Sequence, residues 1–451
     1  MRTRTTGNDD HILARFYGKS SHFTDIPGTL YHDYNVKKGL RNEDGTGVRI
    51  GLTRISDVLG YSADEEGNVI PVEGELLYRG YSIRDMVRNR KGNFGYEEVC
   101  FLLLFGYLPS PAEFEDFKSC LSSRYDLPGG FLVSELLRDP GKNLMNQLQT
   151  ATLKLYNYDG NPEDSDTYET FRKGFNLIAK FPSIGCYAYQ AMQHFYNHNS
   201  LVIHYPKKEY SIAENILYML REDGKFTERE ANLLDAVLVI HADHGGGNNS
   251  TFTNVVIGST GTDLYSAISG SIGSLKGPKH GGANINVAHM MSEVLECIDY
   301  SATDDEIREI VRRILNKDFF DRSGLVYGFG HAVYTISDPR AEILRSLSET
   351  LAAEKNCSEQ FHFYHRFEDI VREMIHEKTK KPVPVNVDFY SGFVYKLLGI
   401  PDELYTPLFA IARVVGWVAH NIENKLYDGR IMRPATKYVG EAQDFVTMEN
   451  R

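Results

Sequence analysis

Cysteine and long apolar runs are scarce in this sequence, and both scarcities exclude classes of protein. The 451 residues include five cysteines, an odd number, widely spaced and without a CxxC pair. Neither a disulfide framework nor a structural zinc site fits that pattern, so we expect a reducing compartment, the cytoplasm. No stretch reaches about 18 consecutive apolar residues, the length that a membrane-spanning helix requires. We therefore predict a cytoplasmic protein with no membrane partner.

The first twelve residues, MRTRTTGNDDHI, lack the apolar core of a secretory signal. Their arginines would suit a mitochondrial presequence, but Asp9 and Asp10 follow at once. Import into an organelle is therefore the less favoured alternative.

Positive charge is also in short supply. The chain carries 49 Lys and Arg against 61 Asp and Glu, a net charge of −12 at pH 7. A polyanion requires a basic face, so neither nucleic acid nor an anionic membrane is expected as the main partner. Any anionic ligand must instead meet a local group of arginines or lysines.

Several catalytic signatures are absent as well. The sequence contains no G-x-S-x-G elbow of an α/β-hydrolase, no G-x-G-x-x-G dinucleotide turn and no HExxH zinc motif. Three common enzyme classes are thereby disfavoured, and the chemistry must be sought in other residues.

The hydrophobic pattern predicts a mainly α protein. Because 451 residues exceed the size at which a single core keeps growing, we expect two domains. Residues 1–45 read as irregular, 47–81 as β-like and rich in turns, and the rest as helical. Ser337-Asp338-Pro339 predicts a helix start, and the Gly- and Ser-rich stretch 258–275 predicts a closely packed helix. The clearest helical periods fall at 97–108, 228–241, 304–315, 367–378 and 403–426.

The segment HADHGGGNNSTFT, from His241 to Thr253, allows three interpretations. His241 and His244 would share a helix face and could bind a metal together with Asp243. A phosphate-binding loop is less favoured, since no Lys-Ser/Thr follows the glycines. The third interpretation is a helix C-terminus with satisfied histidines.

The segment GPKHGGAN places His280 among glycines, just before an apolar helical face. The positive end of that helix would disfavour imidazolium and leave a neutral N–H donor, suited to stabilising an enolate or oxyanion. His331 likewise follows glycines in GLVYGFGHAVYTISDPR, and Arg340 ends that segment at a helix start.

Carboxylate and guanidinium groups occur in apolar surroundings further along. Asp388, in VPVNVDFYSGF, is either a helix cap or a desolvated carboxylate whose raised pKa suits a general base. Arg413 lies within the apolar helix LFAIARVVGWVAH and must meet a carboxylate from the protein or from a ligand. Arg433, in RIMRPATKYVG, is a further candidate or a surface residue.

These motifs together resemble the citrate synthase family. The segments TGVRIGLTRI, GELLYRGYSI, HADHGGGNNST, GPKHGGAN, GFGHAVYTISDPR, VNVDFYSG and RPATKYVG follow the family's order and approximate spacing. The resemblance implies a citrate-synthase-like fold, with a large helical domain (1–283 and 396–451) and a smaller helical domain (284–395) that closes over the active site. It departs from many members at Gly245, where they carry Glu.

The resemblance also implies an activity. Acetyl-CoA, oxaloacetate and water would give citrate and CoA, without metal or other cofactor. Asp388, His280 and His331 would be catalytic, as base, donor to the thioester oxygen and donor to the oxaloacetate carbonyl. Substrate would be bound by His244, Asn248, Arg340, Arg413 and Arg433. Backbone at Val326, Gly328, Phe329 and Gly330 would line the CoA site.

Arg433 would reach the neighbouring active site, so a homodimer or larger assembly is implied. The nearest alternative is a 2-methylcitrate synthase that uses propionyl-CoA, because one methylene is worth only about 1–3 kcal/mol in a pocket. Citryl-CoA cleavage or hydrolysis is a related possibility. From a different class, a non-catalytic oxaloacetate or CoA sensor is disfavoured by the presence of all three catalytic candidates.

Overall fold

A computed structural model describes residues 11, 14–17, 26–42, 46–66, 68–89, 92, 94–427 and 429–451. Helices dominate these residues, which confirms the predicted class. None of the helices in this described part is long and apolar enough to cross a membrane. The helices are α1 Thr29–Asp33, α2 Ile83–Asn89, α3 Gly95–Phe105, α4 Pro111–Ser122, α5 Leu144–Leu155, α6 Thr167–Asn197, α7 Ile212–Leu220, α8 Glu228–His241, α9 Asn249–Gly258, α10 Leu264–Leu275, α11 Ala283–Cys297, α12 Asp304–Leu315, α13 Pro339–Glu354, α14 Ser358–Thr379, α15 Val387–Leu398 and α16 Tyr405–Tyr427.

Backbone contacts divide the chain into two units. One comprises Met1–Gly51 with Met432–Arg451, and the other is Leu52–Ile431. In the first unit, the predicted irregular extension 1–45 contains α1, and its residues 1–10, 12–13, 18–25 and 43–45 lie outside the described residues. The predicted smaller domain at 284–395 lies within the second unit and stays a prediction.

The β-like segment forms a three-stranded antiparallel sheet. Its strands are β1 Ser56–Ala63, β2 Val69–Tyr78 and β3 Tyr81–Ser82, in the order β1-β2-β3. The β1–β2 register begins at Ser56 opposite Tyr78 and shifts between Leu59 and Tyr61. This irregularity places Gly60 in contact with a loop that carries part of the site, as described below.

Helix starts follow local sequence signals. Capping boxes open α4, α7, α8 and α12, each with a Ser or Thr at the N-cap and Glu three residues later. Asp338 caps α13 with Pro339 at the first helical position, as predicted. The expected close packing around 258–275 is also confirmed: a Cβ atom on Gly270 would lie 2.2 Å from the Ile257 side chain.

Helix α16 runs through the core of the second unit. Every residue from Tyr405 to Asn421 is buried, including Trp417 and Arg413. Its most extensive contacts are with α6, a 31-residue helix that continues through Pro182. The charged Arg413 side chain is thus buried within the core of the second unit.

A second buried ionisable group lies at the start of α3. Glu97 is fully buried, and its Oε1 accepts a hydrogen bond from Ile212 N–H at 2.7 Å. Its Oε2 has no hydrogen-bond partner. Burial first, and then the carboxylate of Asp235, raise the pKa of Glu97 to about 8.

Candidate active site

His244 and Asn248 lie in the turn between α8 and α9. The buried carboxylate of Asp243 fixes this turn, because it accepts a hydrogen bond from Gly245 N–H (3.0 Å) and lies 3.1 Å from His420 Nε2. Asn248 caps α9 and accepts a hydrogen bond from the backbone N–H two residues on. The backbone of the turn and the Asn248 side chain are therefore held by short hydrogen bonds.

The histidines of this turn are buried but not satisfied. Helix α8 ends at His241, so the predicted helix C-terminus does lie in this segment. Both ring nitrogens of His241, and Nε2 of His244, are buried without a hydrogen-bond partner, so the expectation of satisfied histidines is wrong. The described residues contain no group of three or more His, Cys, Asp or Glu side chains that could hold a metal.

His280 precedes α11 and faces the start of α9. Its Nε2 lies 3.1 Å from Asn248 Oδ1 and 3.2 Å from Ser250 Oγ. Trp417 Nε1–H donates to the same Ser250 Oγ, and the serine hydroxyl donates to Asn248 Oδ1 at 2.8 Å.

The imidazole of His280 is neutral near pH 7. Burial, followed by the positive charge of Arg413, lowers its pKa to about 4. The sequence correctly predicts the neutral form, but burial and a guanidinium, rather than the end of α11, are its main causes.

His331 has a defined tautomer. Its Nδ1 accepts hydrogen bonds from the backbone N–H groups of Val333 and Tyr334, both at 3.0 Å. Because that nitrogen accepts, the proton of the neutral ring is on Nε2. Burial and Arg340 lower the His331 pKa to about 4. The ring stacks on Tyr334 at 4.5 Å and meets the His244 ring edge-on at 5.1 Å.

The sheet holds the loop that follows His331. Thr335 Oγ1 donates to the carbonyl of Gly60 (2.9 Å), and Gly74 N–H donates to Ser337 Oγ (3.2 Å). A Cβ atom on either glycine would lie within 2.3 Å of a loop carbonyl oxygen. Only glycine permits this approach of strand to loop.

Arg340 is paired with Asp338 at the start of α13. Its Nε and Nη2 donate to the two carboxylate oxygens of Asp338 at 3.0 and 2.8 Å, and both residues are buried. Asp338 Oδ2 also accepts from Val387 N–H at 3.2 Å. This one carboxylate joins Arg340 to the first residue of α15.

Asp388 is the second residue of α15. Asn386 is the N-cap of that helix, so the alternative that Asp388 is a capping residue is wrong. Its side chain is only partly exposed, and burial is the main cause that raises its pKa to about 6. Asp338 raises this pKa further, whereas Arg340 and Arg413 lower it. The carboxylate is therefore ionised at neutral pH but more basic than in water.

Arg413 has few partners. Its Nε donates to the carbonyl of His241 at 2.7 Å, and its guanidinium lies 4.5 Å from the centre of the Phe409 ring. Both terminal nitrogens, Nη1 and Nη2, are buried without a hydrogen-bond partner. Burial lowers the pKa of Arg413 to about 10, so the group stays charged at neutral pH. No described carboxylate forms a hydrogen bond with the guanidinium, although Asp243 and Asp388 act on it through their charge, so the carboxylate partner stays a prediction.

The segment that contains Val326, Gly328, Phe329 and Gly330 runs beside the start of α15. Phe329 forms an isolated antiparallel bridge with Val385, and Gly330 N–H donates to Pro384 O at 2.8 Å. Gly328 has a φ of +88°, and a Cβ atom there would lie 2.8 Å from Phe389 Cβ. The expected CoA segment and the segment of Asp388 are thus joined through their backbones.

Arg433 lies in the unit formed by the two ends of the chain, and its side chain is exposed. Its assignment to a neighbouring active site stays a prediction.

The buried candidate residues of the second unit influence one another through their charges. Burial lowers the pKa of His244 most, and Arg340 and Arg413 lower it further; Arg413 likewise adds to the effect of burial on His280. The group offers unpaired N–H donors for an anion, neutral imidazoles for developing negative charge and one carboxylate base. Such a set can remove a proton next to a carbonyl and stabilise the resulting enol.

Sequence reasoning missed three residues at this site. Asp338 appeared only as a helix cap, Ser250 was not singled out, and Tyr334 was read as part of a motif. Tyr334 is buried between His331 and Arg340, and its hydroxyl lacks a hydrogen-bond partner. The helix start Ser337-Asp338-Pro339 signalled Asp338, but no local signal shows its contact with Val387.

The chain is similar to known proteins over most of its length. The profile described as "Citrate synthase, C-terminal domain" matches residues 44–435. Citrate synthase from Haloferax volcanii is 37% identical over 383 residues, which cover 84% of this chain and 93% of the relative. The 2-methylcitrate synthase from Shewanella oneidensis is 33% identical over 385 residues, with 84% and 93% covered.

A solved structure shares the fold. The ternary complex of Thermoplasma acidophilum citrate synthase with carboxymethyl coenzyme A and oxaloacetate superposes with a TM-score of 0.73 and 27% identity, covering 92% of this chain and 99% of that one. On the profile match and the identity to its relatives, the chain belongs to the citrate synthase family, a family of acyltransferases.

Proposed function

We propose that the protein catalyses the condensation of acetyl-CoA with oxaloacetate and water to give citrate and CoA. The observation that carries this proposal is the buried guanidinium of Arg413, whose two terminal nitrogens lack partners beside a carboxylate base and two neutral histidines. A dicarboxylate substrate would supply the missing partners, and an acyl thioester would supply the proton that the base removes.

The first step is enolisation. Asp388 removes a proton from the methyl group of acetyl-CoA while His280 donates a hydrogen bond to the thioester oxygen. A methyl group next to a thioester is a very weak acid, so base and donor must act together. The raised pKa of Asp388, about 6, improves the base while leaving it ionised at pH 7.

The second step forms the carbon–carbon bond. The enol carbon attacks the keto carbon of oxaloacetate, and His331 transfers its Nε2 proton to the keto oxygen. Two backbone donors occupy Nδ1 of His331, which keeps the transferable proton on the other nitrogen. Water then cleaves the citryl thioester to citrate and CoA.

Oxaloacetate would be bound by Arg340, Arg413 and His244, with Asn248 supporting the pocket. Bidentate arginine–carboxylate contacts are local, so an acidic protein can bind a dicarboxylate without a basic surface. CoA would lie along Val326, Gly328, Phe329 and Gly330. Closure of the smaller domain, residues 284–395, would exclude water from the enol.

Propionyl-CoA is the second candidate donor. Relatives named citrate synthase and 2-methylcitrate synthase match the chain with similar identity, 37% and 33%. The catalytic residues treat both acyl groups alike, so the preference depends on the space for one methyl group.

We further propose a metal- and cofactor-free cytoplasmic enzyme that acts as a homodimer or larger assembly. The free cysteines favour a reducing compartment. Arg433 would complete the active site of the neighbouring subunit.

Thiol release tests the activity. Purified protein is mixed with oxaloacetate and acetyl-CoA or propionyl-CoA, and free CoA is followed with a thiol-reactive chromophore. Asp388→Ala should lose activity, whereas Asp369→Ala, at an exposed position on α14, should retain it. Absence of thiol release with both donors would refute the synthase, and full turnover by Asp388→Ala would refute the base.

Mixed dimers test the role of Arg433. Arg433→Ala and Asp388→Ala should each be inactive alone. After subunit exchange, half of the dimers contain one of each chain, and one site in each such dimer is intact. Activity should then recover to about a quarter of the wild-type value. No recovery despite exchange would contradict a role across the interface.

A further inference from the structure

The side chain of Asp338 makes more contacts than a helix cap requires. The capping bond to Arg340 N–H measures 3.0 Å. Beyond it, the two oxygens accept from Arg340 Nε, Arg340 Nη2 and Val387 N–H at 3.0, 2.8 and 3.2 Å. Val387 lies 49 residues further along the chain. The carboxylate thus connects two helices through bonds that capping alone does not explain.

Each of these two connections ends beside a group with a chemical role. Arg340 would bind the oxaloacetate carboxylate, and its Nη1 remains outside the pairing with Asp338. Val387 directly precedes Asp388, and its N–H is the first of α15. A shift of the Asp338 carboxylate would therefore move both the substrate-binding arginine and the base.

The charges around Asp338 make it an electrostatic counterpart of Arg340. Arg340 lowers the pKa of Asp388 and Asp338 raises it, so the pair partly cancels at the base, while Arg413 lowers it too. His331 responds to the same pair in the same directions. The other charged groups facing Asp338 line a cavity of about 90 Å³: Glu73, Glu342, Arg345, Glu368 and Arg372.

We propose that Asp338 is a positioning residue of the condensation reaction, whose single carboxylate sets both the oxaloacetate-binding guanidinium and the helix start that carries the base. This inference rests on the proposed function. It predicts that substrate affinity and base strength change together when the Asp338 charge is removed, and that they can be separated by removing one bond.

Asp338→Asn tests the shared role. Asparagine still caps a helix, so α13 keeps its start, but the charge and one acceptor are lost. We expect the KM for oxaloacetate to rise about 10-fold and kcat to fall about 10- to 100-fold, the cost of charge-assisted hydrogen bonds. The acid limb of kcat/KM for acyl-CoA should move to lower pH, because Arg340 then acts on Asp388 without compensation.

Asp166→Asn is the matched control. Asp166 caps α6 through the same bond to the backbone N–H two residues on, and it is exposed. This variant should keep wild-type kcat, KM and pH profile. A variant that only reduced the amount of folded protein would lower the rate by the same factor at every pH, and the acid limb would not move.

Val387→Pro separates the two connections. Proline is tolerated at the first position of a helix, and it removes only the N–H that Asp338 accepts. Val387→Ala serves as its control, because it shortens the side chain and keeps that N–H. We expect kcat to fall about 10-fold more in the proline variant, with the oxaloacetate KM within about twofold of the alanine variant.

Two results would overturn the inference. One is an Asp338→Asn enzyme with wild-type kinetics, or with a reduced rate and an unshifted acid limb. The other is an equal kcat for Val387→Pro and Val387→Ala. This second result decides the question if Asp338→Asn does not fold. An inactive wild-type protein would instead refute the proposed function, and the positioning role with it.

Discussion

Replacement of Arg413 by methionine should stabilise the ligand-free protein while abolishing its response to oxaloacetate. In the folded chain the pKa of Arg413 falls to about 10 from the ordinary 12.5 of a guanidinium, chiefly because the group is buried. At about 1.4 kcal/mol for each tenfold change, keeping it charged costs about 3 kcal/mol. Methionine has a similar length and no charge, so it recovers this cost.

Two favourable contacts are lost in the exchange, the hydrogen bond from Nε and the cation–π contact with the Phe409 ring, and the second contributes about 1 kcal/mol. The hydrogen bond from Nε to the carbonyl of His241 contributes about 1.5 kcal/mol. The net expectation is a gain of about 0.5–1 kcal/mol in the free energy of unfolding, in line with other replacements of buried charge by apolar side chains. Urea unfolding of the ligand-free protein measures this difference.

Oxaloacetate should stabilise the wild-type protein much more than Arg413→Met. At a concentration of 100 times Kd, a ligand that binds only the folded state adds about 2.7 kcal/mol. Loss of a buried arginine–carboxylate contact costs about 2–5 kcal/mol of binding, so the increment in Arg413→Met should fall below about 1 kcal/mol.

Arg221→Met is the matched control, because Arg221 donates to both oxygens of Glu230 at 2.8 and 2.9 Å. Removing it leaves a partly buried carboxylate without one of its cations, which should destabilise the protein by about 1–3 kcal/mol and leave the oxaloacetate increment intact. If Arg413→Met behaves like Arg221→Met, the guanidinium is already compensated in the ligand-free protein and the reasoning fails.

Three further predictions concern pH and packing. The kcat/KM for acyl-CoA should rise with pH through about 6, as Asp388 loses its proton, and a rate that is flat from pH 5 to 7 would contradict its role as base. Glu97 holds its proton up to about pH 8 in the folded state and up to about 4.5 when unfolded, so the folded state binds more protons between these values and loses stability as pH rises. Glu97→Gln should therefore gain stability relative to wild type from pH 5 to 8 in urea unfolding, and a constant difference would show that the carboxyl is ionised when folded. Gly328→Ala should lose more stability than Gly330→Ala: both positions have positive φ, but only the first would bring Cβ within 2.8 Å of another residue. Equal losses of unfolding free energy would mean that the neighbouring helix yields.

Local sequence signals predicted the helices well. The periods at 228–241 and 304–315 coincide with α8 and α12, because caps and hydrophobic spacing both lie within each segment. The period at 97–108 was extended too far, since Gly106 adopts a left-handed conformation and ends α3 at Phe105. Helix α6 was not singled out, and Pro182 within it is a residue that normally argues against a helix.

The site was predictable where chemistry is local. An arginine inside an apolar helix must have an unusual environment, and Arg413 does. Its actual partners, a backbone carbonyl and an aromatic ring, depend on which helices pack against α16 and leave no mark in the sequence around it. The contact between Asp338 and Val387 was invisible for the same reason, because it joins residues that only the fold brings together.

The hydrogen bond between Thr335 and Gly60 joins two residues that are synthesised at very different times. These residues are 275 positions apart, and ribosomes add about 5–20 residues per second, so Gly60 emerges roughly 14–55 s before its partner exists. Throughout that interval the glycines of β1 and β2 have no loop to pack against, and the histidine that the loop will carry has not been made. An early part of the nascent chain must therefore remain able to form this contact until a much later part has been synthesised.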